Sequence, residues 1–249
     1  MKILIYGING KMGKILYDAI TSENKDTVIC GVDKFGDGKY FDCPVYTDCS
    51  DISEKPDCII DFAVKDAIYD YLPYAVENSV PCVIAATGHD EKDLAFIEKA
   101  AERIPVFKSG NMSLGINLLI KLVEIASSVL GDKADIEIVE QHHRRKADAP
   151  SGTALMIADA IKKTIPDETF VIGRNESSGK RQPGDLGISS VRGGTVAGKH
   201  EVFFFMNGEA VSVKHEAEDR TIFANGSIAA ARFIVAKEKG LYNSKDLFN

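Results

Sequence analysis

The sequence predicts an α/β fold in two parts: an N-terminal doubly wound parallel sheet, then a C-terminal α+β domain with a mixed sheet. Three observations carry this. Over the first hundred residues, short apolar β-type runs alternate with helix-like stretches, the pattern of repeated βα units around a parallel sheet. The first run passes directly into a glycine-rich turn that opens a helix, Gly7-Ile8-Asn9-Gly10-Lys11-Met12-Gly13. Near Gly110 the pattern changes to a long apolar helix, alternating strands and a polar, Gly-rich stretch.

Taken in order, residues 2–6 form an apolar strand and residues from about 11 to 20 the helix after it. Residues 27–32, 58–62, 80–85 and 105–108 read as further strands. Residues 64–78 are helix-like, with Pro73 inside them, which predicts a kink or a break. Asp90 is placed to cap a helix running to about residue 103. Residues 115–130 carry apolar side chains at 116, 118, 119, 120, 122, 123, 125 and 126, a mostly buried helix. Residues 134–141 alternate as a strand, and 151–165 form a helix. Residues 172–198 are polar and rich in glycine, which predicts a loop-rich segment suited to a mobile lid or an interface arm. Asn207-Gly208, between β-type runs at 200–206 and 209–213, is a two-residue hairpin signal. A final helix covers about 225–239, and pattern alone leaves open where it packs.

Composition narrows the function classes. The 249 residues are 45% hydrophobic and 27% charged, an ordinary globular mixture. No apolar run approaches the ~20 residues of a membrane span, and the short apolar N-terminus lacks a cleavage site, so a cytoplasmic protein without a membrane partner is expected. The net charge of −7 argues against nucleic-acid binding. Cys30, Cys43, Cys49, Cys58 and Cys82 are odd in number, lack CxxC spacing and lie in the first third of the chain, so they read as free thiols.

The glycine turn points to a dinucleotide. Glycines there permit a tight turn, close approach of backbone to pyrophosphate and close helix–strand packing, and the helix N-terminus offers free N–H groups to phosphate. The spacing is GxxGxxG, one residue longer at the first step than the common fingerprint. Asp33 ends the second strand about 20 residues after Gly13, where an acid binds the ribose hydroxyls in a Rossmann-type domain. Lys34 beside it is placed either to attract a 2′-phosphate or to sit solvated at the surface.

A second constellation is His142-His143-Arg144-Arg145-Lys146, followed by Pro150-Ser151-Gly152-Thr153 at a helix start. Alone, such a run would be a solvated loop. Leading into a helix N-terminus with two hydroxyls, it forms an anion site, and histidine adds proton exchange near neutrality. A hydride carrier and an anion site with proton donors together suggest reduction of a small acidic substrate. No metal site is expected: His142 and His143 are adjacent and point to opposite faces of a strand, and His89, His200 and His215 are isolated.

On these residues the chain resembles the 4-hydroxy-tetrahydrodipicolinate reductase (dihydrodipicolinate reductase) family. The matching motifs are the turn at 7–13, Asp61-Phe62, Ala86-Thr87-Gly88, SGNMSLGIN at 109–117, EQHHRRKADAPSGTAL at 140–155 and RTIFANG at 220–226. The 140–155 string is by far the most specific. The resemblance implies reduction of 4-hydroxy-tetrahydrodipicolinate to tetrahydrodipicolinate, a dicarboxylate of the diaminopimelate route to lysine, using NADH or NADPH. It makes His142 the acid and Lys146 a catalytic and substrate-orienting group, with His143, Ser151, Gly152 and Thr153 at the substrate carboxylates. It assigns Gly7, Asn9, Gly10, Lys11, Met12, Gly13, Asp33, Lys34, Phe62, Ala86, Thr87, Gly88, Ser109, Gly110, Asn111, Met112, Arg220 and Phe223 to the cofactor. It implies that the last helix returns to the dinucleotide-binding domain (1–113 with 220–249), and that residues 114–219 form a substrate-binding domain whose sheet assembles a homotetramer. Two departures stand out: Met112 where the family usually has Phe, and Asp33-Lys34 where it often has Glu-Arg. Lysine lacks the bidentate fork of arginine, so NADH is expected to serve at least as well as NADPH. Two rivals are a reductase of another amino-acid precursor and a catalytically silent dinucleotide sensor. The absence of cysteine beyond Cys82 disfavours an acylating dehydrogenase, and a silent sensor has no need of His142 and Lys146.

Overall fold

The computed structural model describes residues 1–23, 25–35 and 39–248. The chain divides into two compact units, residues 1–114 with 220–249, and residues 115–219.

The first unit is built on seven parallel strands: β1 (Lys2–Tyr6), β2 (Thr27–Val32), β3 (Val45–Tyr46), β4 (Cys58–Asp61), β5 (Cys82–Ile84), β6 (Pro105–Lys108) and β12 (Gly240–Tyr242), in the spatial order β12-β6-β5-β4-β1-β2-β3. Side chains on β1 alternate between two cores. Ile3 and Ile5 pack with α1 (Lys11–Glu23) and α6 (Thr221–Ile234) on one face. Leu4 and Tyr6 pack with α2 (Ile68–Glu77) and α3 (Glu91–Ala101) on the other. Both faces are therefore covered, which is why the strands read as continuous apolar runs. Tyr6 pairs with Val32 on one side and Asp61 on the other, and Asp61 with Ile84. That register brings the residues after β2, β1, β4 and β5 to a single sheet edge, with the strand order reversing at β1, where ligands of such sheets bind.

The second unit holds a mixed sheet ordered β11-β10-β7-β9-β8. Its strands are β7 (Asp135–His142), β8 (Thr169–Ile172), β9 (Asp185–Arg192), β10 (Gly198–Met206) and β11 (Glu209–Ala217). β10 is antiparallel to β7 and β11, while β9 is parallel to β7 and β8. Helices α4 (Leu114–Leu130) and α5 (Gly152–Thr164) cover one face through Leu119, Val123, Ile157 and Ile161, packed on Ile136, Ile138 and Phe204.

Several expectations need correction. Helix α2 runs unbroken through Pro73 after a 3₁₀ turn at Lys65–Ala67; burial of Ile68, Tyr71, Leu72 and Ala75 holds the helix despite the hydrogen bond that proline removes. The segment 172–198, read as loop-rich, contains β9, preceded by β8. Glycine inside β9 hid it: a side chain at Gly187 would meet the Glu137 carboxylate that pairs with Arg181. The last helix starts and ends earlier than expected, at Thr221 and Ile234. The short strands β3 and β12 escaped notice because two or three residues show no periodicity.

Candidate functional site

In the first unit, Gly7 leaves β1 with φ +80° and donates its N–H to the Val32 carbonyl at 2.8 Å. A Cβ on Gly13 would lie 2.3 Å from the Gly7 carbonyl and 2.5 Å from that of Ile8, so helix and turn approach more closely than any side chain allows. Asp33 lies just past β2. One of its carboxylate oxygens accepts the Asn9 N–H and the other the Phe35 N–H, each at 2.9 Å. The acid therefore fixes the turn while keeping lone pairs for further donors. A cleft of about 580 Å³ opens here, lined by Gly7, Gly10, Asp33, Lys34, Phe35, Phe62 and Asp70 among others. A glycine cradle without room for Cβ atoms, beside a fixed acid, fits a dinucleotide's phosphates and ribose.

The other cofactor candidates lie outside this cleft. Lys11, Met12 and Gly13 form the first turn of α1. Ala86, Thr87 and Gly88 follow β5, Gly88 with φ +85°. After β6, the Ser109 hydroxyl donates to the Asn111 carbonyl and sits 2.6 Å from the Ser244 hydroxyl, while Gly110 is exposed. Met112 is buried in the sheet core, its carbonyl so close to α6 that Gly226 has no space for a Cβ. Arg220 precedes α6, and Phe223 lies in its first turn against the same core.

Sequence reading gave no role to Asp61, a fully buried carboxyl at the end of β4. It accepts the Ala63 N–H at 2.7 Å and the Tyr71 hydroxyl at 3.1 Å. Burial pushes it up to about 7, against the hydrogen bonds and the positive charge of Lys108.

In the second unit, β7 alternates so that Ile136, Ile138, Glu140 and His142 share the buried face. Glu140 is wholly buried and gripped on every side. Arg192 donates Nη1 to Oε2 at 2.8 Å and Nη2 to Oε1 at 2.7 Å, Ser151 donates its N–H to Oε1 at 3.1 Å, and His142 Nδ1 lies 2.5 Å from Oε2. Desolvation raises this carboxyl, but the bonds from Arg192, Ser190 and His142 outweigh it and hold it at about 2. An ionised carboxylate only accepts, so the proton facing it belongs to His142 Nδ1, and Nε2 is turned outward. A Cβ on Gly198 would stand 3.1 Å from Nε2, so the glycine leaves that nitrogen open. Burial lowers the pKa of His142 below its usual value, with Glu140 opposing.

Ser151 caps α5, its hydroxyl accepting the Ala154 N–H at 3.2 Å and lying 3.2 Å from His200 Nε2. His200 packs edge-on against His142, ring centroids 5.2 Å apart, and burial lowers it to about 4, so it is neutral at pH 7. Among the described residues, Lys146 pairs with the largely exposed Asp148, at 2.9 Å. Such a pair is worth about 0–1 kcal/mol and leaves the ammonium ready for another anion. Gly152 and Thr153 open α5, and His143 lies half-buried just past β7. The basic run therefore disperses: Arg144 and Arg145 are exposed, and the cation that neutralises the buried carboxylate is the half-buried Arg192, fifty residues on. Glu140, Arg192 and His200 are the residues sequence reading missed. The period-2 step from Ile138 to Glu140 and His142 was the available signal. Among the described residues no His, Cys, Asp and Glu group converges as a metal site, and no helix is long and apolar enough to cross a membrane.

Comparison with known proteins bears on both units. Residues 1–112 match the family model for the N-terminus of dihydrodipicolinate reductase, and residues 115–248 the model for its C-terminus. The 4-hydroxy-tetrahydrodipicolinate reductase of Caldanaerobacter subterraneus subsp. tengcongensis is 44% identical over 99% of this chain and 98% of that protein. That of Clostridium novyi is 37% identical over 99% and 97%. A dipicolinate-bound dihydrodipicolinate reductase from Paenisporosarcina shares the fold, with a TM-score of 0.80 over 98% of this chain and 97% of that one at 22% identity. With both halves matched in order and relatives aligned end to end, the chain belongs to the dihydrodipicolinate reductase family.

Proposed function

We infer that this protein is an NAD(P)H-dependent oxidoreductase that reduces 4-hydroxy-tetrahydrodipicolinate to tetrahydrodipicolinate in diaminopimelate and lysine biosynthesis. The observation that carries the reading is His142 held by the buried Glu140 and its partner Arg192 at the capped start of α5, within a chain that matches reductases of that name over its whole length. Replacing the ring hydroxyl by hydrogen consumes one hydride and one proton and releases water. NAD(P)H, when bound, supplies the hydride. We assign the nucleotide to the glycine turn and Asp33 in the first unit, with the remaining cofactor candidates as contacts along it.

In the second unit, His142 in its protonated form holds the proton at Nε2, with Nδ1 anchored on Glu140. The α5 N-terminus, through Ser151, Gly152 and Thr153, provides N–H groups and hydroxyls for one substrate carboxylate. Lys146 and His143 serve the other, Lys146 exchanging Asp148 for the substrate. Asp33-Lys34 favours NADH at least as much as NADPH. The protein is read as cytoplasmic and as a homotetramer, the latter because the sheet face opposite α4 and α5 leaves Val191 and Phe205 exposed. A coupled assay with freshly generated substrate, following NADH and NADPH oxidation separately, tests the reading. Substrate-dependent oxidation is expected with both, and absence of turnover with either overturns it. A tenfold higher kcat/KM for NADPH overturns the preference alone.

A further inference from the structure

We propose that Asp70 is a specificity-determining residue that turns the cofactor cleft against a 2′-phosphate by occupying Lys34. The proposal rests on the assignment of this cleft to the nucleotide and deepens the reading of its preference. NADH and NADPH differ at one position of the adenosine ribose: one carries a hydroxyl, a hydrogen-bond donor, the other a phosphate of about −1.5 to −2 charge. Among the described residues, the cleft lining contains three carboxylates, Asp33, Asp66 and Asp70, and one cation, Lys34. Asp33 accepts backbone N–H groups on both oxygens and suits ribose hydroxyls as further donors.

Lys34, the next residue, does not extend freely toward that position. Its ammonium lies 2.7 Å from Asp70 Oδ2. The same oxygen accepts the hydroxyl of Tyr6, a buried residue of β1, at 3.2 Å, so the sheet itself holds the acid in place. A 2′-phosphate that recruits Lys34 must displace Asp70 and leave that carboxylate facing a dianion. A ribose hydroxyl meets no such cost. Discrimination then comes from a built-in repulsion as well as from Asp33.

The test is calorimetric titration of the full-length protein with NADH and NADPH. Asp70→Asn should tighten NADPH binding by about 3- to 10-fold, the size of one partly screened charge near a dianion, with NADH affinity unchanged within about twofold. In Asp70→Asn/Lys34→Ala the gain should fall to the small one that relief of repulsion alone gives, because the freed ammonium delivers the rest. Asp66→Asn, which removes a cleft carboxylate that does not pair with Lys34, should give a smaller gain. The proposal is overturned by an unchanged NADPH affinity in Asp70→Asn, by a gain that survives removal of Lys34 undiminished, or by an equal gain in Asp66→Asn. Wild-type preference for NADPH would refute the preference proposed above, and the mutant cycle would still decide the role of Asp70. Failure of both nucleotides to bind overturns both.

Discussion

Replacing Glu140 by Gln keeps the side chain's volume and removes its charge. In the wild-type protein this carboxylate accepts two hydrogen bonds from Arg192 and one each from Ser151 and His142, with Ser190 as a further partner. The amide of Gln has one oxygen and one NH₂, so a donor must face either Arg192 or His142 Nδ1. Breaking one partner of a buried ion pair costs about 3–5 kcal/mol, which urea unfolding at pH 7 will report. An NH₂ facing Nδ1 makes that nitrogen the acceptor and moves the proton of the neutral ring to Nε2. Loss of an oriented acid lowers kcat by about 10²- to 10⁴-fold. NADH affinity, with the nucleotide assigned to the other unit, should stay the same. Because Glu140 favours the imidazolium, its removal also shifts the alkaline limb of the kcat–pH profile, where the acid loses its proton, to lower pH. Two-dimensional ¹H–¹⁵N spectra of the ring nitrogens report the tautomer directly. Arg192→Lys, which keeps the charge but loses the bidentate fork, should give a milder form of the same defects if the glutamine variant folds poorly. A folded Glu140→Gln protein with kcat within about threefold of wild type and an unchanged His142 tautomer would refute the positioning role.

Other outcomes are expected from the same geometry. His142→Gln should lower kcat strongly with NADH affinity nearly intact, and Lys146→Ala should lower kcat and also weaken dicarboxylate binding; steady-state kinetics with calorimetry separate the two. Gly13→Ala places a methyl against two backbone carbonyls and should cost about 1–3 kcal/mol while abolishing NADH binding. Asp61 is raised from 3.8 to about 7 by burial, so its contribution to stability is full below pH 4 and declines as pH rises through 7. Asp61→Asn should remove that decline, up to about 4 kcal/mol by linkage, in unfolding curves measured from pH 4 to 8. Glu140 has the opposite sign: held at about 2, it contributes above pH 4.5 and loses that contribution as pH falls toward 2.

The glycine turn, the acid after β2, the longer strands of the first unit and the string from His142 to Thr153 were legible in the chain because each is local. Turn conformation, strand periodicity and a helix start depend on residues within a few positions of one another, and the family resemblance rests on those same short strings. Glu140 was visible as a letter in that string but not as the anchor of His142, although the two-residue step onto one face of β7 announced that they are neighbours. Its partner Arg192 lay in a segment that glycine made look like a loop. Only the parallel register that sets His142 opposite Arg192 identifies which cation neutralises the buried carboxylate. Likewise, Lys34 read as a cation available to phosphate until α2 brought Asp70 against it. The sequence determined the fold class and the short strings that hold most of the candidate residues. The tertiary structure decided which charges remain free to perform the chemistry, because ion pairs between elements follow strand register and helix packing rather than distance along the chain.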